Sequence, residues 1–181
     1  MALKNTVRVG DAQLETLLQE VAEGSTAALE ELYRFTDRAV YAYALSILRN
    51  AYDAEDVLQE CFIRVFQSAA FYHGDGKPMA WILTIAKNLC RDLLRKNQTV
   101  AELSDEAWLR LAAPNTTNDD RLILSACMEE LSEKERQIVA LHAVAGFKHR
   151  EIAEFMSLSL TGVLSKYHRA IQKMKRRVQE Q

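Results

Sequence analysis

The sequence predicts an all-α protein of two small helical domains joined by a flexible linker, and three observations carry that reading. Only six glycines and two prolines occur in 181 residues, so little interrupts long helices. Apolar side chains recur at i, i+3, i+4 and i+7 through most of the chain, the period of a helix with one buried face. The recurrence fails in one polar stretch, 97–120, which divides the chain into 1–96 and 121–181.

Residues 27–49 place Leu29, Leu32, Tyr33, Val40, Tyr43, Ala44, Ile47 and Leu48 on one stripe and predict a long helix. Asp53, three residues before Asp56, is close to a capping box and is expected to open a second helix with the stripe Val57, Leu58, Cys61, Phe62, Val65 and Phe66, ending near 67–70. FYHGDGK follows with two glycines and reads as a loop. Pro78 suits a first helical position. From there Met79, Trp81, Ile82, Ile85, Ala86, Leu89 and Leu93 form one face, and Thr84, Lys87, Asn88, Arg91 and Arg95 form a basic one. Within the linker, Trp108, Leu109 and Leu111 suggest a short helical turn. Leu122, Ile123, Cys127 and Leu131 then propose a helix. Ser132 with Glu135 is a capping box for the next, through about Val144, and Gly146 stops it. Lys148 to Met156, the interruption SLS, and Leu160 to about Val178 have the shape of a helix-turn-helix.

The net charge of −2 conceals an alternation. Residues 1–60 carry five Lys/Arg and eleven Asp/Glu, residues 61–97 six and two, residues 98–120 one and five, and residues 121–181 eleven and seven. Basic blocks suit phosphate and acidic blocks repel it, so more than one kind of partner is expected. The opening residues lack a secretory apolar region, and no apolar run approaches the length of a membrane span, so a cytoplasmic protein without membrane insertion is expected. Cys61, Cys90 and Cys127 are odd in number and widely spaced, which gives no disulfide or zinc signature. They read as small buried side chains, and no metal or cofactor is expected.

Chemistry concentrates in three places. The C-terminal helix pair holds eight Lys/Arg against three Glu from Ala145 onward, as a major-groove reader needs, although a solvated amphipathic hairpin would look similar. From Phe71 to Lys96, aromatics alternate with basic residues, so Phe71, Tyr72, His73 and Trp81 are candidates to stack on unpaired bases. Trp81 also lies on the apolar face, and core packing would explain it equally. His73 has no second ligand at metal spacing. The acidic helix bearing Asp53, Glu55, Asp56, Gln59, Glu60 and Arg64 has no accompanying nucleophile or phosphate loop, so a protein-binding face fits better than catalysis. Part of its acidity serves the helix dipole.

The segments AEDVLQECFIRVFQ, KPMAWILTIAKNLCRDLLRK and LSEKERQIVALHAVAGFKHREIAEFM, in that order over nearly the whole chain, resemble bacterial extracytoplasmic-function sigma factors. The resemblance implies a non-enzymatic initiation subunit whose partners are core RNA polymerase, through the β′ clamp helices and the β subunit, and promoter DNA. An anti-sigma factor is a further candidate partner. Carried over by position, Asp56, Gln59, Glu60 and Arg64 are polymerase-binding candidates, and Asp53 joins them as part of the same acidic helix. Phe71, Tyr72, His73, Lys77, Trp81, Lys87, Asn88, Arg91 and Arg95 are candidates for capturing the melted minus-ten element. Arg150, Ser159, Thr161, Ser165, Lys166, His168, Arg169 and Lys173 are candidates for the minus-thirty-five element. Gly162, Leu164 and Ser157 depart from the family pattern, where a threonine, a lysine and a glycine are usual. The rival reading is a sigma mimic that binds an anti-sigma factor or polymerase without selecting promoters. An enzyme using Cys61 or Cys90 is a more distant one.

Overall fold

A computed structural model describes residues 10–96 and 118–179. The expected turn at Trp108, Leu109 and Leu111 lies outside the described residues. Among the described residues eight α-helices follow in order: α1 (Asp11–Ala22), α2 (Thr26–Leu48), α3 (Ala51–Ser68), α4 (Pro78–Lys96), α5 (Asn118–Glu129), α6 (Glu133–Ala143), α7 (His149–Met156) and α8 (Leu160–Gln179). A single 3₁₀ turn, Ala69–Phe71, extends α3, and there is no strand among the described residues.

The helix α1 lies before residue 27, where the expected helices begin, and is an addition to them. Its apolar signal is nonetheless regular: Leu14, Leu17, Leu18 and Val21 are buried at i, i+3, i+4 and i+7. Ser25 caps α2, its Oγ accepting from the Ala28 N–H at 3.2 Å. From Ala39 to Ser46 every residue of α2 is buried, so this helix is enclosed all round. The buried hydroxyls within it are satisfied locally, Thr36 Oγ1 donating to the Leu32 carbonyl at 2.7 Å and Ser46 Oγ to that of Tyr43 at 2.6 Å.

The start of α3 corrects the expected cap. Asn50, not Asp53, is the N-cap: its Oδ1 accepts from the N–H groups of Tyr52 at 2.8 Å and Asp53 at 3.1 Å. Asp53 lies inside the first turn, where its charge favours the helix dipole. The expected box at α6 is present, Ser132 Oγ accepting from the Glu135 N–H at 3.4 Å and Glu135 Oε2 accepting from the Ser132 N–H at 2.9 Å. The helix α5 begins at Asn118, three residues before the expected start of the second domain at 121.

The two halves share one continuous core. Arg136, only 6% exposed, crosses from α6: its Nε donates to the Ser46 carbonyl of α2 at 3.3 Å and its guanidinium also donates to the Leu131 carbonyl. Burial, then the nearby Arg49 charge, lowers the guanidinium pKa. On the far side, His142 of α6 and His149 of α7 stack with centroids 4.4 Å apart, and Tyr167 of α8 meets both rings edge-on at 4.9 and 4.7 Å. His142 Nδ1 lies 2.8 Å from the Phe147 carbonyl oxygen, whereas His149 Nε2 is buried with no hydrogen-bond partner.

Burial, and secondarily the His142 charge, holds the His149 pKa below its ordinary imidazole value. The native state therefore binds fewer protons than the unfolded chain in acid, and this contribution to stability is lost as pH falls below about 6.5. His149→Phe keeps the ring stack and removes the titration. Urea unfolding across that range is expected to show a flatter pH dependence in His149→Phe than in wild type.

Candidate functional site

Helices α3 and α4 pack side by side and leave a groove lined by Asp56, Val57, Glu60 and Arg64 on one wall and Leu89, Asp92, Leu93 and Lys96 on the other. Glu60 pairs with Arg64 at 2.7 Å, and Arg95 pairs with Asp92. Val57 is buried and the two leucines are half-buried, so the groove has an apolar floor and a mostly acidic rim. That is a seat for an amphipathic helix with cationic flanks. Gln59 is exposed on α3 outside this lining, and Asp53 lies three residues before Asp56, also outside it.

The loop between the 3₁₀ turn and α4 divides the four aromatic candidates into two pairs. Phe71 is 72% exposed and His73 is exposed. Tyr72 and Trp81 are half-buried and face each other with centroids 5.4 Å apart. Tyr72 Oη donates to Glu15 Oε1 of α1 at 2.9 Å, and the Gly76 N–H donates to the same oxygen at 2.8 Å. Burial and the Glu15 carboxylate push the Tyr72 phenol up to about 12. Gly74 and Gly76 take φ of 68° and 70°, left-handed conformations that let the chain turn back within three residues.

Along α4, Asn88, Arg91 and Arg95 are exposed on a shallow polar surface shared with Asp92 and Leu94. Two cations of this side meet the other half of the molecule. Lys77 pairs with Glu154 of α7 at 2.5 Å. The Lys87 ammonium lies 5.0 Å over the Phe155 ring and 3.4 Å from the Phe155 carbonyl, and burial, then Arg91, lowers its pKa.

The helices α7 and α8 form the expected helix-turn-helix. The turn passes through Ser157 at φ 54°, with the Leu158 N–H donating to the Ala153 carbonyl at 2.9 Å, a left-handed helix stop. Ser159 then caps α8, its Oγ accepting from the Gly162 N–H at 3.1 Å and lying 3.3 Å from Thr161 Oγ1. Val163 and Ala170 are buried, which leaves Thr161, Leu164, Ser165, His168 and Arg169 on the exposed face, with Lys166 half-buried beside them. Arg150 is exposed on α7. Lys173 is held elsewhere: its ammonium is 2.7 Å from Glu135, where it and Ser132 outweigh burial and keep the Glu135 carboxyl below its ordinary range.

All three cysteines are buried. Burial above all pushes the Cys61 and Cys90 thiols up to about 12 and raises Cys127, which removes the thiolate a nucleophile needs at neutral pH. Among the described residues no group of His, Cys, Asp or Glu is arranged for a metal ion, and no helix is long and apolar enough to cross a membrane.

The groove and the loop with its two exposed aromatic side chains lie in the first half of the chain and the helix-turn-helix in the second, and these halves correspond to the two regions of a sigma-70 initiation factor. Family models agree: Sigma-70 region 2 matches residues 32–100 and Sigma-70 region 4 matches residues 121–174. The chain belongs to the extracytoplasmic-function sigma factor family. It is 27% identical over 171 residues to the ECF RNA polymerase sigma factor SigK of Mycobacterium sp. (strain KMS), covering 90% of this chain and 89% of that one. SigK of Mycobacterium tuberculosis (strain ATCC 25177 / H37Ra) is 25% identical over 177 residues, covering 91% and 92%. Among solved structures, CnrH in complex with the cytosolic domain of CnrY shares the fold with a TM-score of 0.68 at 24% identity, covering 93% of this chain and 98% of that one. RpoE in complex with the anti-sigma factor NepR from Bartonella quintana does so at 0.66 and 18%, covering 83% and 96%.

The two departures around the turn have opposite energetics. Ser157 occupies a left-handed position that disfavours any Cβ, so Ser157→Gly is expected to stabilise the protein by about 1 kcal/mol in urea unfolding. Gly162 lies within α8, but a Cβ there would come 2.9 Å from Ser159 Oγ and disturb the cap. The helix-propensity gain of about 1 kcal/mol is therefore opposed by a cap worth about 1 kcal/mol, and Gly162→Ala is expected to change stability by less than about 0.5 kcal/mol.

Proposed function

We propose that the chain binds core RNA polymerase through the α3–α4 groove, captures the melted minus-ten strand on the 71–77 loop and the polar side of α4, and reads the minus-thirty-five duplex with α8. The observation that carries this reading is the division of α4. Leu89, Asp92, Leu93 and Lys96 wall the groove, while Asn88, Arg91 and Arg95 line the neighbouring surface with Asp92 on the edge between them, so protein and nucleic acid would meet adjoining faces of one helix. A rim of three carboxylates and two cations around an apolar floor suits a protein helix better than a phosphate backbone, whereas exposed Phe71 and His73 suit unpaired bases and the exposed Arg91 and Arg95 further along α4 suit phosphates. Catalysis is left to the polymerase. That RpoE of Bartonella quintana was solved with an anti-sigma factor supports a protein of that class as a further partner.

The sigma-mimic reading draws its support from Leu164, 45% exposed at the centre of the α8 face. A leucine offers a base only apolar contact, for example to a thymine methyl, and gives a phosphate nothing. Transcription separates the two readings. The whole chain mixed with core polymerase and a library of promoter fragments is expected to give discrete start sites absent with core alone, and a mimic gives none.

In the same assay the double substitution Asp56→Lys, Glu60→Lys is expected to abolish the new starts. Competition for core should show affinity reduced about tenfold or more, the order expected of two reversed charges at an interface, with helicity unchanged. Unaltered affinity would remove this groove from the polymerase contact.

A further inference from the structure

We infer that Glu15 is a positioning residue that presets the strand-capturing loop, by joining its two ends at one carboxylate oxygen. The inference rests on the reading of that loop as the minus-ten contact and adds to it a residue of α1, which lies outside the residues matched by the region 2 model.

The geometry is specific. Glu15 Oε1 accepts from Tyr72 Oη, at the beginning of the loop, at 2.9 Å, and from the Gly76 N–H, at its end, at 2.8 Å. Both are hydrogen bonds to a carboxylate, stronger than their neutral counterparts. The post that carries them is rigid: Leu14, Leu17 and Leu18 on either side of Glu15 are buried against the core. Between the two anchors only His73, Gly74 and Asp75 project, all exposed.

Without those anchors the segment has little to order it. Two of its residues are glycines at positive φ, and its tip has no apolar burial. A loop with two glycines loses much conformational freedom when it closes on a strand, and an anchor that fixes its span beforehand removes that cost from binding. The tether also decides which rings meet the strand. With its hydroxyl held by Glu15 and its ring on Trp81, Tyr72 faces inward, and Phe71 and His73 remain at the lip.

The test uses the whole chain bound to core polymerase and a fluorescent single-stranded minus-ten oligonucleotide. Glu15→Ala is expected to bind the strand about tenfold more weakly, the order of two lost hydrogen bonds to a charged acceptor, with core affinity and thermal midpoint close to wild type. Glu15→Gln keeps an amide oxygen for both donors and should restore binding to within about twofold, and Tyr72→Phe, which loses one anchor, should fall between. Hydrogen exchange at the Gly76 amide should be protected in wild type and Glu15→Gln and fast in Glu15→Ala. The double substitution Phe71→Ala, His73→Ala separates the two levels. If it weakens strand binding while Glu15→Ala does not, the positioning role is overturned and the loop reading stands. If neither changes binding, the loop does not hold the strand and both readings fall. Equal weakness in Glu15→Gln and Glu15→Ala would also overturn positioning by the shared acceptor.

Discussion

The enclosure of α2 is the constraint on which the rest of the molecule depends. Over Ala39–Ser46 no residue of this helix is exposed, and α1, α3, α4 and α6 all pack against it. Ala39, Ala42 and Ala44 let neighbouring backbones come close, while Tyr43, fully buried, reaches an edge contact with Phe155 at 5.5 Å. A helix surrounded in this way fixes the relative rotation of everything that touches it, because close-packed side chains shift only in discrete steps. The α3–α4 groove, the loop that leads into α4, and the approach of α6 and α7 are consequences of how their helices seat on that single rod.

Electrostatics is then distributed by helix face rather than by domain. The helix α4 carries Asp92 beside Glu60 and Arg64 in the groove, and Arg91 and Arg95 within a turn of it. Neighbouring residues differ by about 100° around a helix, which turns Arg91 away from the groove side of Asp92, whereas Arg95, three residues on, stays close enough to pair with Asp92 at the edge between the two surfaces. The near-neutral total is therefore uninformative, and the sign of each surface is set by which side of the helix is buried.

The features legible in the sequence are those written within a few residues. Pro78, the Ser132–Glu135 box, the two faces of α4 and the helix-turn-helix all follow from spacing, and the structure contains each of them. Local chemistry misled at Asp53, because Asn50 offers an equally good cap one turn earlier and backbone geometry chooses between them. The stripe of α1 is only four residues long and precedes the stronger pattern of α2. Glu15 had no sequence signal at all: its partners lie 57 and 61 residues away, and an isolated acid on a helix reads as solvated surface. The inward turn of Lys173 toward Glu135 is hidden for the same reason, since a basic helix does not announce which of its cations another helix claims.

Arg136 gives the joint between the halves an asymmetry. A guanidinium placed between α6 and α2 and donating to the Ser46 and Leu131 carbonyls carries a desolvation penalty that neutral acceptors offset only in part. When the surfaces part, water takes over the charge and much of that penalty is returned, whereas an apolar residue in its place would gain nothing from hydration. The seam is thus cohesive through its hydrophobic neighbours and weakened at Arg136, a contact whose dissociated form is chemically comfortable.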